Sequence, residues 1–208
     1  ENADFMRSED EVLGIVINGE ARAYPLHILN WHELVNDRIQ EQPILISYCP
    51  LCGSGMAFSA ELDGRRLEFG VSGLLYNSDV LFYDRQTESL WSQISRTAIN
   101  GTYRGRELQQ LPLQQTNWKD WQTRHPTTRV LTENQGFSRD YRDDPYRGYA
   151  NSRALFFSVA HEIPREFHHK ERVLGIVVNG RAKAYPFVEL RKHGQDRFAD
   201  ELAGTSYV

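Results

Sequence analysis

A fourteen-residue segment that occurs twice constrains the fold of this 208-residue chain more than any other feature of its sequence. Residues 12–25 read VLGIVINGEARAYP and residues 173–186 read VLGIVVNGRAKAYP, with 11 of the 14 positions identical. An apolar run, an Asn-Gly pair and a returning run predict a β-hairpin with a type I′ turn. The proline that follows ends the ladder and can begin a helix, because its fixed φ suits the first helical turn. The sequence therefore predicts one hairpin–helix unit in two copies, by internal duplication or reuse of a hairpin.

The whole pattern predicts a β-rich α+β fold of twisted antiparallel hairpins with a few short helices, built around the duplicated hairpin–helix unit. Ten Tyr, ten Phe and four Trp residues favour strands over a helical bundle. The first unit covers about residues 11–36, with a helix over 26–36, and the second covers about 172–193. We expect a single domain over residues 1–208. When the two copies are aligned, Val208 falls near the position where the second copy would have its counterpart of Cys49. Either that copy is therefore degenerate or the native chain continues.

The bulk composition is ordinary for a soluble globular protein and argues against several classes. The residues are 40% hydrophobic and 25% charged, and a net charge of −4 offers no basic surplus for nucleic acid or an anionic membrane. No apolar run approaches the roughly 18 residues of a membrane-spanning helix. The chain begins at Glu1 without a basic, hydrophobic leader, as a processed exported protein would and as a trimmed chain also would.

The two cysteines, Cys49 and Cys52, lie in the sequence Cys-Pro-Leu-Cys-Gly, which places two thiols on one tight turn. This spacing is typical of a metal-binding knuckle, in which the glycine supplies a permissive backbone after the second thiolate. A redox or structural disulfide is the second interpretation. No helix is predicted after the turn to lower the pKa of the first thiol, as it does in thioredoxin-like enzymes. Reduced, inert thiols are the third interpretation.

His32 is the candidate for a third metal ligand. It follows Trp31 on the predicted helix, and the 17 residues from His32 to Cys49 match a helix end, a turn and a returning strand. Imidazole and thiolate together suit zinc and copper. A surface histidine packed beside Trp31 is the plain alternative. Carboxylates that would orient the imidazole or a bound water, and two weaker histidine candidates, complete the predicted site. The carboxylates are Glu33, Asp37 and Asp79, and the weaker candidates are His27 and His193.

Other polar clusters point less clearly to chemistry. His168 and His169 are adjacent, and adjacent side chains rarely point the same way, so we interpret them as exposed loop. The aspartates of residues 140–144 lack the spacing and glycine of a calcium-binding loop, and an Arg–Asp–Tyr network that orders residues 137–149 is the simpler interpretation. The chain has no nucleophile elbow, phosphate loop, dinucleotide fingerprint or HExxH motif, which removes the commonest hydrolases, kinases and dehydrogenases.

Several motifs follow one another in fixed order along nearly the whole chain: NGEARAYP, the NWHE and VND segments, SYCPLCGSG, FGVSGLLYNSDVLFYDRQTESLWSQ and RDYRDDPY. Together they resemble the bacterial and archaeal family named domain of unknown function 3179. The resemblance implies a mostly extracytoplasmic protein, often made with a signal sequence or a lipoprotein anchor. It implies family-motif positions at His32, Glu33, Cys49, Cys52 and Asp79. It implies no activity, so any chemistry must be argued from the residues.

From these observations we predict an extracytoplasmic metal-binding protein, whether periplasmic, secreted or surface-anchored. One mononuclear copper or zinc ion would be bound by Cys49, Cys52 and His32, with copper favoured outside the cytoplasm and a fourth position open. Such a site suits metal handling or metal-dependent small-molecule chemistry, with the ion and another extracytoplasmic protein as partners. A metal-free thiol–disulfide oxidoreductase using the same cysteines is the alternative. A structural or assembly module with a stapled turn is the third class.

Overall fold

The computed structural model describes residues 3–194 and 197–208. The fold is β-rich, as predicted, with 42% of the residues in strands and 10% in three short helices. The chain divides into two compact units. Unit 1 comprises Glu1–Ala150 and Phe157–Ala160, and unit 2 comprises Asn151–Phe156 and His161–Val208. None of the helices in the described ranges is long and apolar enough to cross a membrane.

Unit 1 contains three four-stranded sheets, one two-stranded pair and two helices. Its elements in chain order are β1 (Glu11–Ile17), β2 (Glu20–Pro25), α1 (Leu26–His32), β3 (Leu34–Ile39), β4 (Gln42–Cys49), β5 (Ser54–Ser59), β6 (Glu61–Leu62), β7 (Arg65–Arg66), β8 (Phe69–Tyr76), β9 (Asp79–Asp84), β10 (Leu90–Ser92), β11 (Ala98–Asn100), β12 (Gln110–Leu111), β13 (Gln114–Asn117), α2 (Trp118–Arg124) and β14 (Arg129–Val130). The sheet orders are β13-β1-β2-β14, β12-β5-β4-β3 and β11-β10-β9-β8, while β6 pairs with β7. Among the described strands, only β14 with β2 is parallel.

The described residues of unit 2 form two antiparallel strand pairs and one helix. Its elements are β15 (Val173–Val178), β16 (Arg181–Pro186), α3 (Phe187–His193), β17 (Asp200–Leu202) and β18 (Thr205–Tyr207). β15 pairs with β16, and β17 pairs with β18. This order of a hairpin, a helix and a second hairpin is also the order of β1, β2, α1, β3 and β4 in unit 1.

The two copies of the repeated segment form hairpins in the same register. Val12 faces Pro25 in β1 and β2, and Val173 faces Pro186 in β15 and β16. The Asn and Gly of each turn both have positive φ, 48° and 82° in the first hairpin and 49° and 74° in the second. This is the type I′ geometry that an Asn-Gly pair favours. A seven-residue helix follows each proline, so the predicted use of proline to end a ladder and begin a helix is confirmed.

The first helix is shorter than the sequence suggested. α1 ends at His32, because Glu33 adopts a positive φ of 58° and turns the chain out of the helix. The predicted helix over residues 26–36 is therefore wrong in its last part, where β3 begins and pairs with β4. The carbonyl of Glu33 accepts a hydrogen bond from the Tyr48 N–H (2.7 Å). This contact places the end of α1 next to the end of β4, where the cysteine turn starts.

Three apolar clusters form the core of unit 1. The first joins β1, β2 and α1 to β4 and includes Leu13 and Ile46, which are fully buried. The second joins β4 and β5 to β8–β11 and includes Phe58 and Phe82, also fully buried. The third packs Trp121 of α2 against β1 and β2. The second cluster matters most for the site, because it packs the sheet that ends in the cysteine turn against the sheet that carries Asp79.

An ion pair joined by a tyrosine occurs in both units. In each, a cationic side chain and a tyrosine hydroxyl donate to one aspartate, at distances of 2.5–2.7 Å. The residues are Arg22, Tyr24 and Asp37 in unit 1, and Lys183, Tyr185 and Asp200 in unit 2. The cation and the tyrosine lie two residues apart on the second strand of each hairpin, and the aspartate lies on the strand after the helix. Each unit therefore has within it the same kind of tertiary contact, as well as the same strand register.

Candidate metal centre

The cysteine turn connects β4 to β5. Cys49 is the last residue of β4 and faces Ser54, so residues 50–53 make the turn. Gly53 has a φ of 62°, a conformation that suits glycine. The backbone N–H of Cys52 donates to Cys49 Sγ (3.3 Å), and the two sulfur atoms lie 2.9 Å apart. Both thiols are free, and Cys49 is buried while Cys52 is exposed. The turn thus forms a compact knuckle with one sheltered and one accessible sulfur.

Asp79 reaches the two thiols from a different sheet. It is the first residue of β9 and follows the two-residue turn of Asn77 and Ser78, both of which have positive φ (52° and 63°). The ligand atoms of Cys49, Cys52 and Asp79 all lie within 4.8 Å of one another. Among residues 3–194 and 197–208, this is the one group of at least three Cys, His, Asp or Glu side chains with that property. The structure therefore contains a Cys2Asp group that could hold a metal ion.

Hydrogen bonds orient the Asp79 carboxylate. Its Oδ2 accepts from Ser92 Oγ and from the Ile94 N–H, both at 3.0 Å. Its Oδ1 lies 4.0 Å from Cys52 Sγ, and the carbonyl of Ser78 accepts from the same thiol at 3.2 Å. One carboxylate oxygen is thus fixed by the protein while the other faces the thiols. Metal ligands in proteins are commonly held in this way by outer hydrogen bonds.

The three groups alter one another's protonation. The hydrogen bond with Cys52, together with backbone N–H donors, lowers the pKa of Cys49 below its ordinary value. The same hydrogen bond, with burial and nearby negative charge, raises the pKa of Cys52. Burial raises the pKa of Asp79. Of the two thiols, Cys49 therefore loses its proton more readily, and Cys52 holds its proton more strongly. Because metal ligands bind in their deprotonated form, a divalent cation would displace that proton.

The two sulfur atoms are 2.9 Å apart, a distance between that of a disulfide and that of two thiolates on one metal ion. A disulfide requires about 2.05 Å. Two thiolates at about 2.3 Å from one tetrahedral zinc ion would lie about 3.8 Å apart. Each state needs a change of about 0.9 Å in this distance, which small side-chain rotations supply. The turn geometry therefore permits both metal binding and disulfide formation.

His32, the predicted third ligand, lies outside the Cys2Asp group. Its Nε2 is 2.7 Å from the Tyr141 hydroxyl, and its ring packs against Phe137 with centroids 5.0 Å apart. Burial and then the positive charge of Arg139 lower the pKa of His32, which favours the neutral ring. These partners all belong to residues 137–149, which we call the capping segment. The contacts place His32 among aromatic side chains, and its role as a metal ligand stays a prediction.

The capping segment folds over the C-terminal end of α1. Asn30 Nδ2 donates to Asp144 Oδ1 (3.0 Å), and Trp31 Nε1 donates to the carbonyl of Asp143 (3.1 Å). The guanidinium of Arg139 lies 5.2 Å from the centre of the Trp31 ring, within cation–π range. Arg147 also pairs with Asp143 (2.9 Å), which is the Arg–Asp part of the network predicted from the sequence.

Glu33 and Cys49 both act electrostatically on Tyr146. Burial raises the pKa of Glu33. Burial also raises the pKa of Tyr146, and the negative charges of Glu33 and Cys49 raise it further. The N–H of Tyr146 donates to Asp144 Oδ1 (2.9 Å), which anchors the backbone of this tyrosine in the capping segment. The Tyr146 phenol thus lies within electrostatic range of Glu33 and Cys49, a proximity that the sequence did not suggest.

The remaining predicted residues have other partners. Asp37 takes part in the ion pair of unit 1 described above. His27 Nε2 lies 3.7 Å from Glu133, and burial lowers the pKa of His27. His193, in unit 2, packs its ring against Phe198 with centroids 5.4 Å apart. None of these three side chains belongs to the Cys2Asp group.

Two surface cavities lie elsewhere on unit 1. One of about 340 Å³ borders the ion pair of Arg22 and Asp37, and one of about 470 Å³ borders Pro43 and Ser59. Neither is lined by the cysteines or by Asp79. Because Cys52 is the exposed sulfur, a ligand of the Cys2Asp group would approach it from the side of Cys52.

A protein-family model described as "Protein of unknown function (DUF3179)" matches residues 1–208, the whole chain. The chain belongs to this family, in agreement with the resemblance carried by its motifs. No curated protein and no solved structure matches the chain. The geometry of the Cys2Asp group is therefore the main evidence for function.

Proposed function

We propose that this member of the family binds one metal ion through Cys49, Cys52 and Asp79, and uses it in metal handling or in metal-dependent chemistry on a small molecule. The observation that carries the proposal is the convergence of two sulfur atoms and one carboxylate oxygen within 4.8 Å. Thiolate and carboxylate are both established ligands of zinc. Three protein ligands leave a tetrahedral position open, as in catalytic zinc sites and unlike closed structural ones.

The donor set favours zinc over copper. Thiolates alone select soft ions such as Cu(I), whereas a carboxylate suits harder or borderline cations. Zinc accepts sulfur and oxygen ligands in one tetrahedral site. If His32 replaced Asp79 as the third ligand, the donor set would no longer favour zinc over copper, since imidazole suits both metals. The identity of the third ligand and of the metal are therefore linked in this proposal.

Metal analysis combined with thiol counting tests the proposal. Protein purified without chelator should contain about one zinc ion per chain. After removal of the metal under denaturing and non-oxidising conditions, both cysteines should react with a thiol reagent. Freshly isolated protein with neither bound metal nor reactive thiols would contradict the proposal, because its two sulfurs would then be bonded to each other.

Thiol–disulfide exchange is the second candidate function, and the close approach of the two sulfurs together with the lowered pKa of Cys49 favours it. In this chemistry the two thiols would form one Sγ–Sγ bond and pass two electrons and two protons to a disulfide of the substrate. Two observations weigh against it. No helix begins at the cysteine turn to stabilise a thiolate, since β5 follows directly, and the more accessible thiol, Cys52, is the one with the raised pKa.

Replacing Asp79 by asparagine should lower zinc affinity by about 10–100-fold, since a neutral amide takes the place of an anionic ligand of similar shape. Zinc affinity would be measured by competition with a chromophoric chelator. Asp84→Asn is the matched control. Asp84 is a fully buried carboxylate on the same strand, but its partners are Thr87 and Trp91.

The Asp84→Asn variant, once shown to be folded, should retain zinc affinity within about threefold. His32→Gln completes the comparison. If Asp79→Asn leaves affinity intact while His32→Gln lowers it, the third ligand is the histidine predicted from the sequence, and the Cys2Asp assignment is wrong.

We also propose that the protein works outside the cytoplasm, and the support for this is the resemblance to the family. Fractionation of source cells, with detection by an antibody against the purified protein, provides the measurement. We expect the protein in the periplasmic, secreted or surface fraction. Recovery of nearly all of it with a cytoplasmic marker enzyme would refute the proposed location.

A further inference from the structure

Three exposed apolar residues are linked to the Cys2Asp group by strand pairing or by hydrogen bonds of their backbones. Tyr76, Ile94 and Phe157 are 51%, 56% and 51% exposed, and we call them the apolar rim. Scattered exposed apolar residues are common, but these three are connected to one site. The N–H of Ile94 donates to Asp79 Oδ2 (3.0 Å). The hydroxyl of Ser78, whose carbonyl contacts Cys52, donates to the carbonyl of Phe157 (3.3 Å).

Strand pairing places Tyr76 on the same sheet face as Asp79. The two residues face each other at the end of the β8–β9 hairpin. Side chains of directly opposed residues in an antiparallel pair project to the same face of the sheet. The carboxylate that faces the thiols and the exposed phenol ring therefore stand on one side of the hairpin. A ligand that reaches the exposed thiol, Cys52, would meet apolar surface around it.

Charge selects among the ligands of the open position. Two thiolates and one carboxylate exceed the charge of a divalent ion by one negative charge. Cys49 and Asp79 are buried, with 1% and 5% exposure, so water screens this excess only weakly. A further anion would meet repulsion in a poorly solvated site, whereas an uncharged donor would not. Nitrogen of a neutral heteroaromatic ring is a good ligand for zinc and cobalt.

We propose that the open coordination position takes an uncharged heteroaromatic nitrogen donor whose ring rests on the apolar rim. This inference depends on the metal site proposed above. It names the substrate class of that site as small heteroaromatic molecules of the imidazole or benzimidazole type. The metal binds the ring nitrogen, and the rim buries the hydrocarbon part of the ring. Larger fused rings should bind more tightly than imidazole, because they remove more apolar area from water.

The test uses the full chain loaded with cobalt(II), whose visible absorption reports changes in its ligands. At pH 8, where both ligands are uncharged, the protein is titrated with imidazole and with benzimidazole, and separately with thiocyanate as an anionic ligand. We expect benzimidazole to bind about tenfold more tightly than imidazole. Thiocyanate should bind more weakly than imidazole. Equal affinities for the two rings, or tighter binding of thiocyanate, would overturn the inference.

Two rim variants and one matched control test whether the apolar rim causes the preference for benzimidazole over imidazole. Ile94→Ser and Phe157→Ser should each reduce the benzimidazole preference to about threefold or less, because benzimidazole loses more apolar contact than imidazole does. Val16→Ser is the control, because Val16 is also an exposed apolar residue (43%) but lies on β1. It should retain the full preference.

The outcomes separate the two proposals. Failure of the protein to bind cobalt at the cysteines would refute the metal site itself. Cobalt binding with an unchanged preference in both rim variants would refute only the role of the rim.

Discussion

Serine in place of either cysteine should lower zinc affinity by at least about 100-fold, the largest effect on binding that we expect from a single substitution. Structural zinc sites with four ligands contribute about 10–16 kcal/mol of binding free energy. One ligand of four therefore accounts for about 3 kcal/mol, or about 100-fold in affinity. The hydroxyl of serine ionises far less readily than a thiol, so it does not replace the thiolate. Competition with a chelator of known zinc affinity measures the change.

The two serine variants differ in how they test the fold. Cys52 is exposed, so Cys52→Ser should leave the free energy of unfolding nearly unchanged. Cys49 is 1% exposed, and a hydroxyl there adds a desolvation cost that unfolding experiments would detect. Because each sulfur would be a separate ligand of the ion, the double variant should lose more affinity than either single variant. Full zinc affinity in Cys52→Ser would show that the metal binds elsewhere.

Replacing Trp91 by alanine should cost about 3–5 kcal/mol of unfolding free energy, a large part of the total stability of an ordinary domain. Trp91 is fully buried in the cluster between β4–β5 and β8–β11. Its ring lies edge-on to Phe69 with centroids 6.3 Å apart, and its Nε1 donates to Asp84 Oδ2 (3.0 Å). Alanine would leave a cavity and remove a donor from a buried carboxylate. Urea denaturation followed by circular dichroism gives the free energy of unfolding.

Trp91→Phe separates the two causes of this loss. Phenylalanine fills most of the space but donates no hydrogen bond to Asp84, so this variant should lose about 1–3 kcal/mol. A loss below about 1 kcal/mol in Trp91→Ala would contradict the burial of this side chain. A similar loss in both variants would show that the hydrogen bond, and not the packing, carries the effect.

At the site, the local sequence predicted the cysteine turn but did not predict that Asp79 would lie beside it. The Cys-Pro-Leu-Cys-Gly spacing predicted a tight turn with two close thiols, because a turn of this length brings its ends together in almost any fold. Asp79 is 27 residues beyond Cys52, and it had been assigned to the outer shell. It joins the thiols because the core packs β9 against the sheet of β4 and β5. Such packing leaves no pattern in the spacing of single residues.

The placement of His32 depended on a backbone angle and on a distant segment. The helix that carries it ends at Glu33, whose φ of 58° reverses the chain direction. A longer helix would have carried the residues after His32 along a different path. Its partner Tyr141 lies 109 residues away in the capping segment. The sequence marked that segment as an ordered loop, but nothing in it indicated which helix end the loop covers.

The repeated hairpin separates what the sequence determined from what the tertiary structure decided. Both copies have the same register, turn and following helix. Their apolar runs, Asn-Gly pair and proline determine the local backbone through interactions between neighbouring residues. Burial differs between the copies. Val12 and Leu13 are fully buried in unit 1, while Val173 and Leu174 are each 48% exposed in unit 2. The backbone conformation is set by the residues of the hairpin itself. The burial of its apolar face depends on the elements that pack against it, and in unit 1 these come from distant parts of the chain.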